Sequence, residues 1–253
     1  MYEFRDTFIN KNFDEECLPT SAMSYDGMFL ERYIDGYRTL SVEGREMYSL
    51  SLETQEQQIG SFITNVKYPS RTLTVKYKLE DKSPEKLQAK FDALLAFLVR
   101  GNDVSIRFND DLAYSFKGRF SGADSVDGSS NSIISTFTLY CADPFKRGDE
   151  LTSNGLIVTQ LPYDVKPDKF IITPKSTTLN VTDGTYRFKI SQGINSGDTI
   201  IADFSTGLVT VNGADKSSIL DLDSDFKNIR LHTKSDFRQS GYDLKIVYRK
   251  AVL

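Results

Sequence analysis

The sequence predicts a mainly β protein built from two domains. Most of the 253 residues alternate apolar and polar side chains, which is the period of a half-buried strand. Turn pairs such as Asp183-Gly184 and Asn212-Gly213 separate these runs. A charged and polar stretch with two glycines, residues 146–155, interrupts the pattern near the middle of the chain. We therefore place the domain boundary there and predict domains 1–147 and 148–253.

The strand predictions rest on period-two runs in both halves of the chain. A run over residues 71–79 places its apolar side chains on one face, namely Leu73, Val75, Tyr77 and Leu79. The last run does the same with Tyr242, Leu244, Ile246 and Tyr248. In the second half, several short runs follow each other with close turns, a spacing typical of a β-sandwich.

One amphipathic helix is predicted over residues 84–100. Ser83 is placed to cap it, and Pro84 suits the first helical position, where its missing N–H is not needed. Gly101 is expected to end the helix in the left-handed conformation. An apolar stripe at helical spacing is expected to pack on the sheet, formed by Leu87, Phe91, Leu94, Leu95 and Leu98. The small, polar segment over residues 120–132 is expected to be a loop or a long hairpin tip.

Composition argues against several classes of partner. The net charge is -4, whereas DNA-binding domains usually have a basic excess for phosphate contacts. The two cysteines, Cys17 and Cys141, do not form a disulfide framework or a metal-ligand pair, so we expect reduced thiols with Cys141 buried. The first residues lack a basic start followed by an apolar run, so we expect no signal peptide. No apolar stretch approaches the roughly 20 residues that span a bilayer, so we expect no membrane insertion.

Residue types that carry chemistry are scarce. The single histidine, His232, has no GxSxG motif beside it, and phosphate-binding glycine motifs are absent. The run Asp221, Asp223 and Asp225 matches the start of an EF-hand loop, but Phe226 replaces the required glycine and His232 the bidentate glutamate. We therefore expect no catalytic residue, no cofactor and no bound metal.

Tyrosine and arginine supply the best candidates for a contact surface. The chain has 13 tyrosines and 17 phenylalanines but no tryptophan. Tyr and Arg are enriched in the hot spots of protein interfaces. They occur together between residues 32 and 71, where the candidate interface residues are Tyr37, Arg38, Arg45 and Arg71. The alternative is that these are ordinary strand residues with charged neighbours.

Several segments in order resemble one family. Residues 31–45, ERYIDGYRTLSVEGR, resemble the opening of the distal tail protein of siphophages that infect Gram-positive bacteria. Pro69-Ser70-Arg71 then leads into the strand, the helix follows, and residues 139–145, LYCADPF, are similar to the family's Cys-x-Asp-Pro-Phe signature. The second half resembles the family's galectin-like β-sandwich, and in length and style the chain is similar to lactococcal examples.

The resemblance implies a structural role in the virion, at the tail tip. In that family, an N-terminal β-sandwich-like domain with one helix forms a hexameric ring around the tail channel, through which DNA only passes. The ring joins the tail tube protein above to the tail-associated protein below. The C-terminal galectin-like domain holds baseplate or receptor-binding proteins. Synthesis and assembly would take place in the cytoplasm of the host bacterium.

Two other functions compete with this hub. The second sandwich could be a carbohydrate-binding adhesin that recognises a host cell-wall saccharide. A glycoside hydrolase could use an unseen pair among the 35 acidic residues, a signal without specificity. The hub predicts a ring-shaped oligomer, the adhesin predicts saturable saccharide binding, and the hydrolase predicts cleavage that a single carboxylate substitution abolishes.

Overall fold

The computed structural model describes residues 18–126, 128 and 130–253. The predictions that concern the first 17 residues, including the state of Cys17, lie outside these ranges. The prediction of a mainly β protein is confirmed. The chain divides into two compact units, of which the first ends at Pro144 and the second spans Phe145–Leu253. In the described parts of the chain, no helix is both long and apolar enough to cross a bilayer.

The first unit contains two antiparallel sheets that share one long strand, and a separate two-stranded hairpin. Its elements in chain order are β1 (Met23–Tyr25), β2 (Met28–Phe29), α1 (Leu30–Tyr33), β3 (Tyr37–Glu43), β4 (Ser51–Glu56), β5 (Ser61–Lys67), β6 (Arg71–Glu80), α2 (Pro84–Leu98), β7 (Val104–Phe108), β8 (Asp111–Ala123) and β9 (Ser132–Cys141). One sheet has the order β2-β1-β7-β8, and the other has the order β8-β9-β6-β3. The first part of β8 pairs with β7 and its last part with β9, so this strand joins the sheets.

The core of the first unit follows the predicted alternation. The four apolar side chains of the 71–79 run are all buried, and Cys141 is a buried free thiol in β9. Tyr25 connects three elements from inside this core. Its hydroxyl donates to the Leu98 carbonyl at 2.9 Å and accepts the Phe120 N–H at 3.3 Å, which fixes the end of α2 against β8.

The helix differs from its prediction at both ends and on one face. Ser83 occupies the N-cap position without a side-chain hydrogen bond to the helix. The helix ends at Leu98 because Val99 is extended, and Gly101 is not left-handed. The Arg100 guanidinium donates to the carbonyls of Ala96 and Val99, at 3.0 and 3.2 Å, and so replaces the expected glycine cap. Leu95 is also 52% exposed, because Phe97 takes the buried place instead.

The second unit contains one larger antiparallel sheet and a separate hairpin. Its elements are β10 (Lys146–Ser153), β11 (Lys169–Pro174), β12 (Leu179–Thr182), β13 (Arg187–Ile190), β14 (Ile200–Asp203), β15 (Leu208–Val211), β16 (Ala214–Asp215), a 3₁₀ turn (Ser217–Ile219) and β17 (Tyr242–Val252). Within the unit, the larger sheet has the order β16-β15-β14-β11-β17-β10, and β12 pairs with β13. The charged stretch that the sequence predicts to be a domain boundary instead forms strand β10. This strand pairs with β17 along its length. The predicted boundary at 147/148 therefore falls inside a strand.

The predicted turns of the second unit are present. Asn212 and Gly213 connect β15 to β16 with positive φ angles of 50° and 82°, which is the conformation of a tight hairpin turn. All four apolar side chains of the last predicted strand are buried. Phe170 lies at the centre of the core, with its ring centroid 4.8 Å from that of Phe204 and 5.6 Å from that of Phe237.

The carboxylate of Asp203 stabilises the turn between β14 and β15. It accepts hydrogen bonds from the backbone N–H groups of Ser205 and Thr206 at 2.9 and 3.0 Å. Burial raises the pKa of Asp203, but the hydrogen bonds from Ser205 and Thr206 outweigh it and bring the pKa to about 2. The ionised form is therefore the one that the folded state favours.

Asp203→Asn should lower the stability of the second unit by about 1 to 2 kcal/mol at neutral pH. The folded-state pKa lies below the ordinary aspartate value, so this contribution is fully present above about pH 4 and disappears as the pH falls through about 2. Melting the wild type and the variant between pH 6 and pH 2 measures the effect. A gap between the two melting temperatures that stays constant over this range would contradict the assignment.

Candidate interaction site at an exposed β-arm

The acidic run considered as a calcium loop is used for contacts inside the second unit. Asp221 accepts the Ser191 N–H at 3.1 Å, and Asp225 accepts the Arg187 N–H at 3.0 Å. The Lys189 ammonium lies 3.3 Å from Asp221 and 3.2 Å from Asp223. These carboxylates thus fasten a loop to β13. Over residues 18–126, 128 and 130–253, no group of three or more His, Cys, Asp or Glu side chains is placed to hold a metal ion.

His232 belongs to a local turn. Its Nδ1 lies 3.0 Å from the Ser235 hydroxyl, which also accepts the His232 backbone N–H at 3.1 Å. Two isolated bridges flank this turn, between Leu231 and Val165 and between Asp236 and Leu156, and the residues around His232 form no longer strand. The Ser–His contact is explained by this turn, since the hydroxyl is bonded back to the histidine backbone.

The most exposed regular structure in the first unit is the hairpin of β4 and β5. We call residues 51–67 the arm, and residues 44–48 with 69–71 the arm root. Every residue of both strands is exposed. The two strands pair only with each other. An isolated two-stranded hairpin is at best marginally stable in water, so the arm lacks the support that other strands receive from a core.

One face of the arm is apolar. Leu52 pairs with Val66, and Thr54 pairs with Ile63, so these side chains lie on the same side of the ribbon. Leu52, Ile63 and Val66 are 51%, 50% and 43% exposed. Ile59 in the connecting turn is 92% exposed. A monomer thus presents three neighbouring aliphatic side chains to water, where they gain nothing from burial.

The opposite face of the arm is mainly polar, although it also carries Phe62, which pairs with Gln55 and is 59% exposed. The Glu53 carboxylate accepts hydrogen bonds from the Asn65 amide at 3.2 Å and from the Lys67 ammonium. These bonds are exposed, so they add little stability, but they pair the charged groups of that face with each other. The arm is therefore amphipathic, with one aliphatic face suited to another polypeptide and an opposite face on which Phe62 is the one large apolar side chain.

The four predicted interface residues occupy different environments. Tyr37 is buried and stacks on Tyr77, with ring centroids 5.6 Å apart. Arg45 pairs with Asp110 and lies over the ring of Phe108, with its Cζ 4.1 Å from the centroid. These side chains are used within the unit, and a buried ring does not reach a partner surface.

The other two candidates differ sharply in exposure. Arg71 is 3% exposed, in the arm root. Arg38 is exposed on β3, next to Lys78 in the register of the sheet, and none of its side-chain contacts joins it to a carboxylate among the described residues. Of the predicted set, Arg38 alone is exposed, and its contact with a partner stays a prediction.

The arm does not stand out in the sequence. A bulge at Thr64, between the pairs of Glu53 and Thr54, breaks the alternation of β5 and sets Ile63 and Val66 three residues apart on one face. A pattern of period two therefore does not connect them. The alternation of β6, by contrast, predicts that Arg71 is buried, because Arg71 lies on the same face of the strand as the buried residues Leu73 and Val75.

Comparison with known proteins identifies the family. The model of the family described as "Siphovirus-type tail component, C-terminal domain" matches residues 163–251. The distal tail protein of Bacillus phage SPP1 is 30% identical over 226 residues, covering 83% of this chain and 87% of that protein. The chain belongs to the distal tail protein family. The family that the sequence resembles is thereby confirmed, and the chain is a component of a phage tail.

Solved structures agree with the distal tail fold. The crystal structure of the SPP1 distal tail protein superposes with a TM-score of 0.74 at 24% identity, over 93% of this chain and all of that one. A chain of the phage P2 baseplate in its activated, calcium-containing conformation superposes with a TM-score of 0.52 at 8% identity, over 90% of this chain and 97% of that one. At these identities the likeness concerns the fold.

Proposed function

We propose that this distal tail protein is a non-catalytic hub that closes into a hexameric ring at the tail tip. In this proposal the first unit forms the ring, which joins the tail tube protein to the tail-associated protein while DNA passes through the lumen. The second unit, as a galectin-like sandwich, holds baseplate or receptor-binding proteins. Family membership supports the tail location, and the SPP1 protein is itself described as a paradigm of the hub adsorption apparatus in phages that infect Gram-positive bacteria.

The observation that carries self-association is the amphipathic arm. Burying the half-exposed aliphatic side chains of its apolar face would remove surface from water at about 25 cal/mol per Å². A second copy of the chain is the partner that is always present at a matching concentration. An arm from one copy on the body of the next is a head-to-tail contact, and such contacts close into a ring when the rotation is right.

The exposed strand edges of the first unit also favour the arm as the contact between copies of the chain. On β3, the Glu31 carboxylate accepts the outward N–H of Thr39 at 3.0 Å, and a bulge at Leu40 interrupts the ladder. These features discourage further strand pairing at β3. The outer edges of β4 and β5 have no strand beside them. A partner chain therefore finds unoccupied backbone groups and apolar side chains together on the arm.

The adhesin hypothesis has less support. A cavity of about 510 Å³ in the second unit is lined mainly by polar residues, among them Asn154, Thr173, Arg238 and Gln239. Its one aromatic residue, Tyr242, is buried and donates its hydroxyl to the Phe237 carbonyl. The cavity thus lacks the exposed aromatic platform on which a sugar ring would stack.

Substitution of the apolar face should prevent assembly without unfolding the monomer. The test variant carries Leu52→Ser, Ile63→Ser and Val66→Ser, and the matched control carries Glu53→Ser, Asn65→Ser and Lys67→Ser on the opposite face. We expect the wild type and the control to assemble as rings, and the apolar-face variant to remain monomeric with an unchanged melting temperature. Light scattering after size-exclusion chromatography gives the mass, and negative-stain microscopy shows the shape.

Two results would overturn the proposal. One is an apolar-face variant that assembles as well as the wild type does. The other is a wild-type chain that stays monomeric at about 100 µM, a concentration at which even weak contacts populate their complex, both alone and with the tail tube protein.

A further inference from the structure

The arm root contains a buried cation. Arg71 is 3% exposed and starts β6, directly after the arm returns to the body of the unit. Among the described residues, no carboxylate forms an ion pair with it. Its Nε and Nη2 atoms are buried and have no hydrogen-bond partner. Burial lowers the pKa of Arg71, although Tyr48, Cys141 and Glu46 oppose that shift. An unpaired buried charge is costly, so its presence here calls for a physical explanation.

The contacts of Arg71 join the two sides of the arm root. Its Nη1 donates to the carbonyls of Gly44 and Arg45 at 3.1 and 2.9 Å. Those carbonyls precede the arm, whereas Arg71 follows it. The guanidinium thus ties together the points where the chain leaves the body and where it comes back.

Tyr48 adds a second connection across the same root. Its ring lies over the Arg71 guanidinium, with Cζ 4.8 Å from the centroid, and Phe116 lies 5.3 Å away in the body of the unit. The Tyr48 hydroxyl donates to the Pro69 carbonyl. A guanidinium can stack its flat face on a ring while its N–H groups bond carbonyls, whereas an aliphatic side chain has no donor and a lysine has no planar group to stack.

We propose that Arg71 is a positioning residue that fixes the direction of the arm before a second copy binds. This inference rests on the proposed function, because a fixed direction matters only if the arm is a contact element. Holding the arm in its bound orientation reduces the conformational entropy lost on association. This positioning role explains why the first unit buries the charge of Arg71, which a folded core does not otherwise need.

The direction of the arm can be measured in a monomer. Nitroxide labels at Gln58→Cys in the arm turn and at Asp92→Cys on α2 report the distance between arm and body by pulsed electron paramagnetic resonance. Cys17→Ser removes one native thiol. Cys141 can stay, since burial raises its pKa to about 12 and keeps it unreactive. The measurement uses fractions that light scattering shows to be monomeric, in chains that carry the apolar-face serine substitutions, so the readout does not depend on assembly.

Arg71→Met should broaden the distance distribution while the melting temperature stays the same or rises. A rise would follow from the removal of the buried charge, and water can bond the exposed Gly44 carbonyl. Arg45→Met is the matched control, since Arg45 is in the same root but bonds Asp110 rather than the backbone of the root. We expect its distribution to stay narrow. Tyr48→Phe should broaden the distance distribution to a smaller extent, so it tests the positioning role even if Arg71→Met fails to fold.

A narrow distribution in both Arg71→Met and Tyr48→Phe would overturn the positioning role. In chains with the intact apolar face, Arg71→Met should also raise the concentration of half-assembly about tenfold or more. A broadened arm with unchanged assembly would instead count against the arm as the ring contact, while the positioning role would stand. The two proposals therefore fail separately.

Discussion

Phe170→Ala should destabilise the second unit by about 3 to 5 kcal/mol. Phe170 is fully buried, and its ring meets those of Phe188, Phe204 and Phe237 edge to face. Alanine would leave a cavity at the point where these rings converge, and the aromatic neighbours cannot collapse into it without leaving their rotamers. Urea denaturation followed by circular dichroism measures the loss in the transition of the second unit.

Phe62→Ala, followed in the transition of the first unit, is the control for the loss of a phenyl ring that leaves no cavity. Phe62 is in the arm and is 59% exposed, so its removal creates no cavity and should change stability by less than about 0.5 kcal/mol. Equal losses for the two variants would contradict the description of the core around Phe170.

Gly44→Ala should destabilise the first unit by about 2 to 4 kcal/mol. Gly44 has a φ of +86°, and a Cβ atom there would lie 2.3 Å from the Thr72 carbonyl oxygen. The obstacle is backbone within a paired strand, so it cannot rotate away as a side chain would. Thermal melting of the variant in a monomeric background measures the loss.

Gly27→Ala separates the two causes of that loss. Gly27 has a similar φ of +82°, but a Cβ atom there meets nothing within 4 Å. It should cost only about 1 kcal/mol, the strain of a left-handed alanine. If Gly27→Ala proved as damaging as Gly44→Ala, the close approach to Thr72 would not be the reason.

The strands were largely predictable because their pattern has a physical cause. Burial of one sheet face forces alternation, and β6 and β17 follow it over most of their length. The helix was predictable in position but not in its limits. The helix ends where it does because Arg100 bonds the last carbonyls and Val99 is extended. Neither feature follows from the propensities of Ser83 or Gly101.

The candidate site was predictable only in part, because residue type does not reveal exposure. Tyrosine and arginine are enriched at interfaces, but they also occur in buried clusters that use their hydrogen-bonding groups. Tyr37 and Arg71 belong to such clusters, whereas Arg38 is exposed. The arm escapes sequence reasoning because the bulge at Thr64 breaks the alternation of β5, and because only the three-dimensional structure shows whether anything covers an apolar face.

The exposed hairpin has a practical consequence for handling the protein. Glu53 and Glu56 lie in β4, on a segment without core support, where the ladder should open at a small fraction of the global unfolding free energy. Among the described residues, a glutamate-specific protease should therefore cut this segment before it cuts the cores of the two units. Once a neighbouring subunit covers the hairpin, cutting should slow, so the digestion rate becomes a simple measure of how much of a preparation is assembled.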